Sequence, residues 1–230
     1  MKPMPAAATA LAACAAALVL GGIAVVIAVF AAAGVHTQPV VPVASGNATT
    51  VVAIGDSIMD GHGLEPGQAW PAVLAGYNGW HLANLATDGA GFVTHGDDGS
   101  IFADQVAEAV EFDPSVVIIS GSSNDLGVSE SDVQESMIAA MHTLRHDLPK
   151  AKIVAVSPVW NENERPAQLD EIDDDMEAAV KSVGGIYIQI GKPLLGKPGY
   201  MQSDDVHPNV DGQLVIASAV EERLEKHRLV

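Results

Sequence analysis

From Thr50 onward the chain alternates short apolar runs with longer stretches of helical period. The first run, Val51-Val52-Ala53-Ile54, stops abruptly at Gly55-Asp56-Ser57. A short run rich in β-branched residues and closed by glycine reads as a buried strand. The pattern returns at Trp80–Ala86, at Ser115–Ser120, at Lys152–Val156 and at Gly185–Ile190. Between these runs the spacing predicts helices over Gln68–Tyr77, Ile101–Glu111, Ser131–Leu148, Ala167–Val183 and Asn209–His227. Pro71 falls near a first turn, where its missing N–H costs little. Ser100 is placed to cap the helix that follows it. Val133, Met137, Met141 and Leu144 fall near helical spacing on one face. Strands alternating with helices predict right-handed crossovers, so the expected fold is α/β: a five-stranded parallel sheet in three α/β/α layers.

The N-terminus breaks this rhythm. Ala6 to Val35 is a run of thirty residues with no charge and one hydroxyl, Thr9. That exceeds the roughly 20 residues needed to span a bilayer. Lys2 gives a thin positive flank, which predicts that the bulk of the chain lies outside the cytoplasm. Residues 1–35 are therefore expected to be a retained anchor. The rival is a signal segment cleaved after Ala31-Ala32-Ala33. Leu11-Ala12-Ala13-Cys14 resembles a lipoprotein box, but the main apolar run follows its cysteine instead of preceding it. Residues 36–49 hold Pro39, Pro42 and Gly46 among small residues and read as a linker. Residues 50–230 are then one catalytic-sized domain.

Charge narrows the partners. The net charge is −18, all 29 acids follow residue 50, and no Lys or Arg stands between Lys2 and Arg145. A nucleic-acid partner needs a basic footprint, so none is expected. Contact with a membrane is expected through the N-terminal segment only, since an acidic domain does not lie flat on anionic lipid. The only cysteine, Cys14, sits in the apolar segment. The domain therefore has no disulfide, no thiol nucleophile and no cysteine-based zinc site.

Four loops carry candidate chemistry, and each follows a predicted strand. In a parallel sheet all four gather at one edge, the edge where sites are built. The first presents Ser57. Alone, it also reads as a turn or cap serine. No phosphate-cradling glycine pattern accompanies it, which argues against a nucleotide cofactor. The second loop, Asn84 to Gly91, has Gly89, whose backbone N–H a substrate can approach closely. The third, Ser120 to Leu126, has the side-chain amide of Asn124. Gly89 also reads as a turn glycine, and Asn124-Asp125 as a helix-initiating pair. The fourth, Ser203 to Asn209, has His207 with Asp204 three residues earlier, close enough to curl back onto the ring. A helix-capping Asp-His turn is the alternative there. A serine, a base, an orienting carboxylate and oxyanion donors together make an acyl-transfer site.

Other clusters are weaker. His142 and His146 are four apart but lack a third metal ligand nearby, so a solvated face is expected. His62 and His95 fall in loops that could line the site. Asp170 and Asp173-Asp174-Asp175 lie in a helix without a glycine turn, which favours a solvated face over a calcium site. No cofactor or metal is expected. Trp70, Phe92, Trp160 and Tyr200 either line a pocket or pack, and packing is expected at least for Trp70.

In order and spacing, Gly55-Asp56-Ser57-Ile58, Gly89 after Asn84, Ser123-Asn124-Asp125 and Asp204-Asp205-Val206-His207-Pro208 resemble the SGNH (GDSL-type) hydrolases. The resemblance runs from about Val51 to the end of the chain. It implies a flavodoxin-like fold, Ser57 as nucleophile, His207 as base and Asp204 as orienting acid. It further implies an oxyanion hole built from the N–H of Ser57, the N–H of Gly89 and the side chain of Asn124. Two positions depart from the family pattern. Ile58 replaces a leucine, and Ser122 stands where the family often has glycine, which would narrow the pocket or tilt the loop. Asp56 is expected to hold the turn that presents Ser57. The resemblance implies a carboxylic-ester hydrolase acting on a small-molecule or polymer-borne ester. Acetyl removal or transfer on cell-envelope or plant polysaccharide, and a non-catalytic surface binding module, are the other readings.

Overall fold

A computed structural model describes residues 48–229. The expected anchor, 1–35, and all of the linker but its last two residues lie outside the described residues. No helix among the described residues is long and apolar enough to cross a membrane.

Among the described residues, five strands form one sheet: β1 (Thr50–Ile54), β2 (His81–Asn84), β3 (Val116–Ser120), β4 (Lys152–Val156) and β5 (Ile186–Ile188). Their order is β2-β1-β3-β4-β5, and every neighbouring pair is parallel. The expected three-layer α/β/α architecture is the one observed. The runs of apolar residues follow from burial on both faces, because side chains along a strand alternate between them. Val52, Ile54, Val117, Ile119 and Ile153 pack under α3 (Phe102–Ala109), α4 (Glu130–Asp147) and α5 (Ala167–Ser182). Val51, Ala53, Val116, Ile118 and Val154 pack on the other side, under α1 (Ser57–Asp60), α2 (Trp70–Asn78) and α6 (Val210–Lys226).

The chain leaves β1 toward β2 on one side and returns to β3 on the other. β1 is thus the point where the strand order reverses, and the crevice above such a point is where open α/β sheets bind ligands. Ser57 is at the carboxyl end of that strand.

Some boundaries moved for local reasons. The cap of α3 falls on Ile101, not on Ser100: Asp104 reaches back one turn and accepts the Ile101 N–H at 2.9 Å. The Ser100 hydroxyl is instead buried without a partner. The last strand is shorter than its apolar run, ending at Ile188; Ile190 leaves the ladder and donates its N–H to Ser157 Oγ at 3.1 Å. Trp70 and Phe92 are fully buried, so both pack.

Candidate active site

Ser57 opens α1, a single four-residue turn. Asp56 caps it, its carboxylate accepting the Ile58 N–H at 3.0 Å, and Gly61 ends it with φ +89°. Asp56 therefore holds the turn, as expected. Gly55 is required sterically: a Cβ there would sit 2.7 Å from Met59 Sδ. Two buried glutamines brace this elbow. Gln105 accepts the Gly55 N–H at 2.9 Å and donates to its carbonyl at 3.0 Å. Gln213 donates to Ile58 O at 3.0 Å and accepts the Trp70 N–H at 2.9 Å. Neither was legible as a site residue, since a glutamine on a helix ordinarily reads as solvated.

At the far end of the chain, Asp204 and His207 form a tight turn. Asp204 Oδ1 accepts the N–H groups of Val206 and His207 at 2.9 and 3.0 Å, and Oδ2 lies 2.7 Å from His207 Nδ1. Asp205 takes a left-handed conformation at φ +56° to close the loop. Gln202 N donates to His207 O at 2.8 Å, which holds the loop to the segment before it. The backbone N–H of His207, its ring, and then the N–H of Val206 hold the Asp204 carboxyl well below the usual carboxylate range. His207 Nε2 lies 3.0 Å from Ser57 Oγ across 150 residues of sequence. Ser57, His207 and Asp204 are thus one hydrogen-bonded chain.

Gly89 and Asn124 occupy the loops after β2 and β3, the two strands flanking β1. Gly89 has φ +76°, while a Cβ there would find its nearest neighbour at 3.5 Å, so conformation and not space calls for glycine. Among the described residues, no acceptor takes the N–H of Gly89 or of Ser57. The Asn124 amide gives one hydrogen to Ala90 O at 2.9 Å and has a second to offer.

Ser122 does not line a pocket, contrary to one of the two expectations for it. It is fully buried, with Oγ 2.8 Å from Asp56 Oδ2 and 3.1 Å from Ala90 O, and it accepts the Asn124 N–H at 3.0 Å. One hydroxyl joins the loops that carry Ser57, Gly89 and Asn124. Burial pushes the Asp56 carboxyl up, and the Ser122 hydrogen bond offsets part of that. Asn124 and Asp125 lie in a single 3₁₀ turn, Ser123–Asp125, and Asp125 serves another loop. Its buried carboxylate accepts the N–H groups of Phe92, Val93 and Thr94 at 2.7, 3.1 and 3.0 Å.

The remaining candidates separate. His62 lies against the site, its ring stacked on that of His207 with centroids 4.1 Å apart. His95 is taken up by Gly99 O at 2.7 Å. His142 and His146 are exposed, and His146 pairs with its neighbour Asp147 at 2.6 Å. In the acidic helix Asp170 and Asp174 are exposed, but Asp173 is buried, correcting the expected solvated face. Its carboxylate accepts from Tyr187 Oη, from Gln189 at 2.9 Å and from Arg165 at 3.2 Å. Among the described residues, His62, Asp204 and His207 bring ligand-type atoms within 4.8 Å of one another. The rings are stacked, so their in-plane lone pairs run side by side, and Asp204 is already bonded to His207. That set suits a hydrogen-bonded chain better than a chelate.

Residues 53–215 match the model of the GDSL-like lipase/acylhydrolase family. A GDSL lipase of Mycobacterium tuberculosis is 29% identical over 182 residues, covering 74% of this chain and 79% of that one. An acetylxylan esterase of Xylanibacter ruminicola is 25% identical over 78% of this chain, which spans 44% of that protein's length. The crystal structure of the psychrotrophic esterase EstA of Pseudoalteromonas superposes with a TM-score of 0.65 at 18% identity, over 79% of this chain and 100% of that one. With a family model spanning most of its length, the chain belongs to the GDSL-like lipase/acylhydrolase family and is an SGNH-type ester hydrolase.

Proposed function

We propose that this protein hydrolyses carboxylic esters through Ser57, with His207 as general base and Asp204 as the group that orients it. The observation that carries the reading is the chain of contacts from Ser57 Oγ to His207 Nε2 at 3.0 Å and from His207 Nδ1 to Asp204 Oδ2 at 2.7 Å. Ser57 Oγ attacks the acyl carbon while its proton passes to His207 Nε2. Asp204 fixes the tautomer with Nε2 free to accept, then stabilises the imidazolium. The N–H groups of Ser57 and Gly89 and the second hydrogen of the Asn124 amide receive the oxyanion. His207 returns the proton to the departing alcohol, and water releases the acyl group from Ser57 by the same steps.

Ser57→Ala is expected to abolish turnover of a short-chain p-nitrophenyl ester and to leave the melting temperature near that of the wild type. Full turnover in the variant would remove Ser57 from the mechanism. A fluorophosphonate probe should label the wild type at Ser57, and a surface binding module would remain unlabelled.

The acetylxylan esterase relative favours an acetyl group on a polysaccharide as the ester. Release of acetate from acetylated xylan, with and without a sugar acceptor, separates hydrolysis from transfer. The thirty uncharged residues from Ala6 to Val35 support placing the domain outside the cytoplasm, anchored by that segment or released after Ala33. Sequencing the first residues of the mature protein decides between the two.

A further inference from the structure

His62 follows Ser57 by little more than one turn in the loop after β1, its N–H donated to Ser57 O at 3.0 Å, and its side chain touches two of the other three loops. Its Nδ1 pairs with Asp88 Oδ2, and Asp88 is the residue before Gly89. Its ring lies on the ring of His207, centroids 4.1 Å apart and planes 28° from parallel. Gln202 Nε2 holds the His62 carbonyl at 2.7 Å and the Pro208 carbonyl at 3.1 Å, so the two histidine loops are strapped together. Asp88 Oδ1 is buried without a hydrogen bond, which leaves His62 as the partner of that carboxylate.

We propose that His62 is a positioning residue for the ester hydrolysis: paired with Asp88 and stacked on His207, it fixes the plane of the base and sets the charge that faces it. The inference rests on the roles proposed above for Ser57, Gly89 and His207. Attack by Ser57 creates a positive charge on His207 and a negative one beside Gly89. A bare Asp88 carboxylate would favour the first and oppose the second. An imidazolium at His62 does the reverse, so the pair largely cancels at both places. The charged groups facing His62 are Asp88, Asp204 and Asp60, with the ring of His207 on its face. Asp88 above all favours the proton on His62; burial, the next largest effect, opposes it, and Asp204 and then Asp60 add smaller support. His62 therefore keeps its proton to a higher pH than an ordinary imidazole, and while it does so it opposes a second proton on the stacked ring.

Two variants test this. His62→Phe keeps a stacking ring and removes the charge; His62→Gln keeps a donor for Asp88 and removes the ring. Both are expected to move the acid limb of kcat/KM for p-nitrophenyl acetate upward by about half a pH unit or more, because Asp88 then faces the base unbalanced. The Gln variant also loses about tenfold in kcat, the Phe variant less, and KM changes less than about twofold in each. Adding Asp88→Asn to His62→Phe returns the acid limb toward its wild-type place. Thermal melts identify any variant that fails to fold, and either one alone carries the pH test. An acid limb unmoved in a folded variant overturns the proposal. If instead Ser57→Ala retains turnover, the underlying triad reading has failed, and the two failures are distinct.

Discussion

Ser122 Oγ stands 2.8 Å from Asp56 Oδ2, with both side chains buried, and this contact ties the loop after β3 to the residue just before Ser57. The same oxygen holds the Asn124 N–H. Ser122→Ala should therefore lower kcat several-fold while sparing KM, because the loops carrying Ser57 and Asn124 lose their common tie. The variant also leaves a buried carboxyl short of a partner, which should cost about 1–3 kcal/mol of stability. Steady-state kinetics and urea unfolding read the two effects. Unchanged kinetics would mean that the elbow keeps its place without the tie.

Asp56 itself should reveal its burial as a pH dependence. Its folded pKa is raised above the ordinary 3.8 by desolvation. A raised carboxyl contributes stability that is full below the unfolded value and is lost as pH rises through the folded one. Asparagine also caps helices, so Asp56→Asn can keep the turn without the ionisation. Relative to this variant, the wild type should become less stable as pH rises from about 4, levelling off above the folded pKa. Urea unfolding across that range checks the sign. A wild type that gains stability over the variant as pH rises would mean that Asp56 is stabilised as an anion.

Asp204→Asn removes the charge and lets the amide present the wrong face to His207. By analogy with triad acids elsewhere, kcat should fall by a factor on the order of 10⁴. The acid side of the stability profile should change as well. The lowered carboxyl contributes stability that is present above the ordinary value of 3.8 and is lost as pH falls toward the lower folded one, and the variant lacks that term. Acid-unfolding curves of the two proteins should diverge above pH 4 and converge below it. Full activity in the variant would exclude Asp204 from the mechanism.

Asn124→Ala removes one of the three proposed donors and is expected to cost about 10²–10³ in kcat. Because the same amide also bonds Ala90 O, the melting temperature must be followed in parallel. A large drop in stability with little loss of kcat per folded molecule would make Asn124 structural.

Asp125→Ala should be the most destabilising of these changes. It frees three backbone N–H groups, those of Phe92, Val93 and Thr94, in a loop where Gly91 passes so close that a Cβ would come within 2.5 Å of the carboxylate. The Phe92 N–H is buried and the other two are partly so; at about 1–3 kcal/mol for a buried donor left unpaired, a few kcal/mol are at stake. A midpoint shift of less than about 1 kcal/mol in urea would show that water replaces the carboxylate.

The strands were legible because both faces of the sheet are covered, so burial wrote itself into the sequence as unbroken apolar runs such as Val116–Ile119. The site was legible because a parallel sheet brings the strand ends to one edge, which makes Ser57, Gly89, Asn124 and His207 neighbours by topology alone. What escaped is polar and tertiary. Asp173 looked solvated because its partners Tyr187 and Gln189 lie on and beyond another strand. Gln105 and Gln213 carried no signal in the sequence, because the carbonyls they serve lie 50 and 155 residues away. Ser122 read as a departure from a glycine, and its three partners come from two other loops and its own. Helical period says which face of a residue is covered, and nothing about which distant amide or carboxylate waits there.

The contact between Ser57 and His207 spans 150 residues, and Gln213 in the final helix grips the turn that carries the serine. Assembly of the reactive pair therefore waits on a segment synthesised 150 residues after the serine. A growing chain carries an inert hydroxyl until α6 docks, so catalytic activity is a reporter of completed folding, and in refolding it should return with the slowest phase.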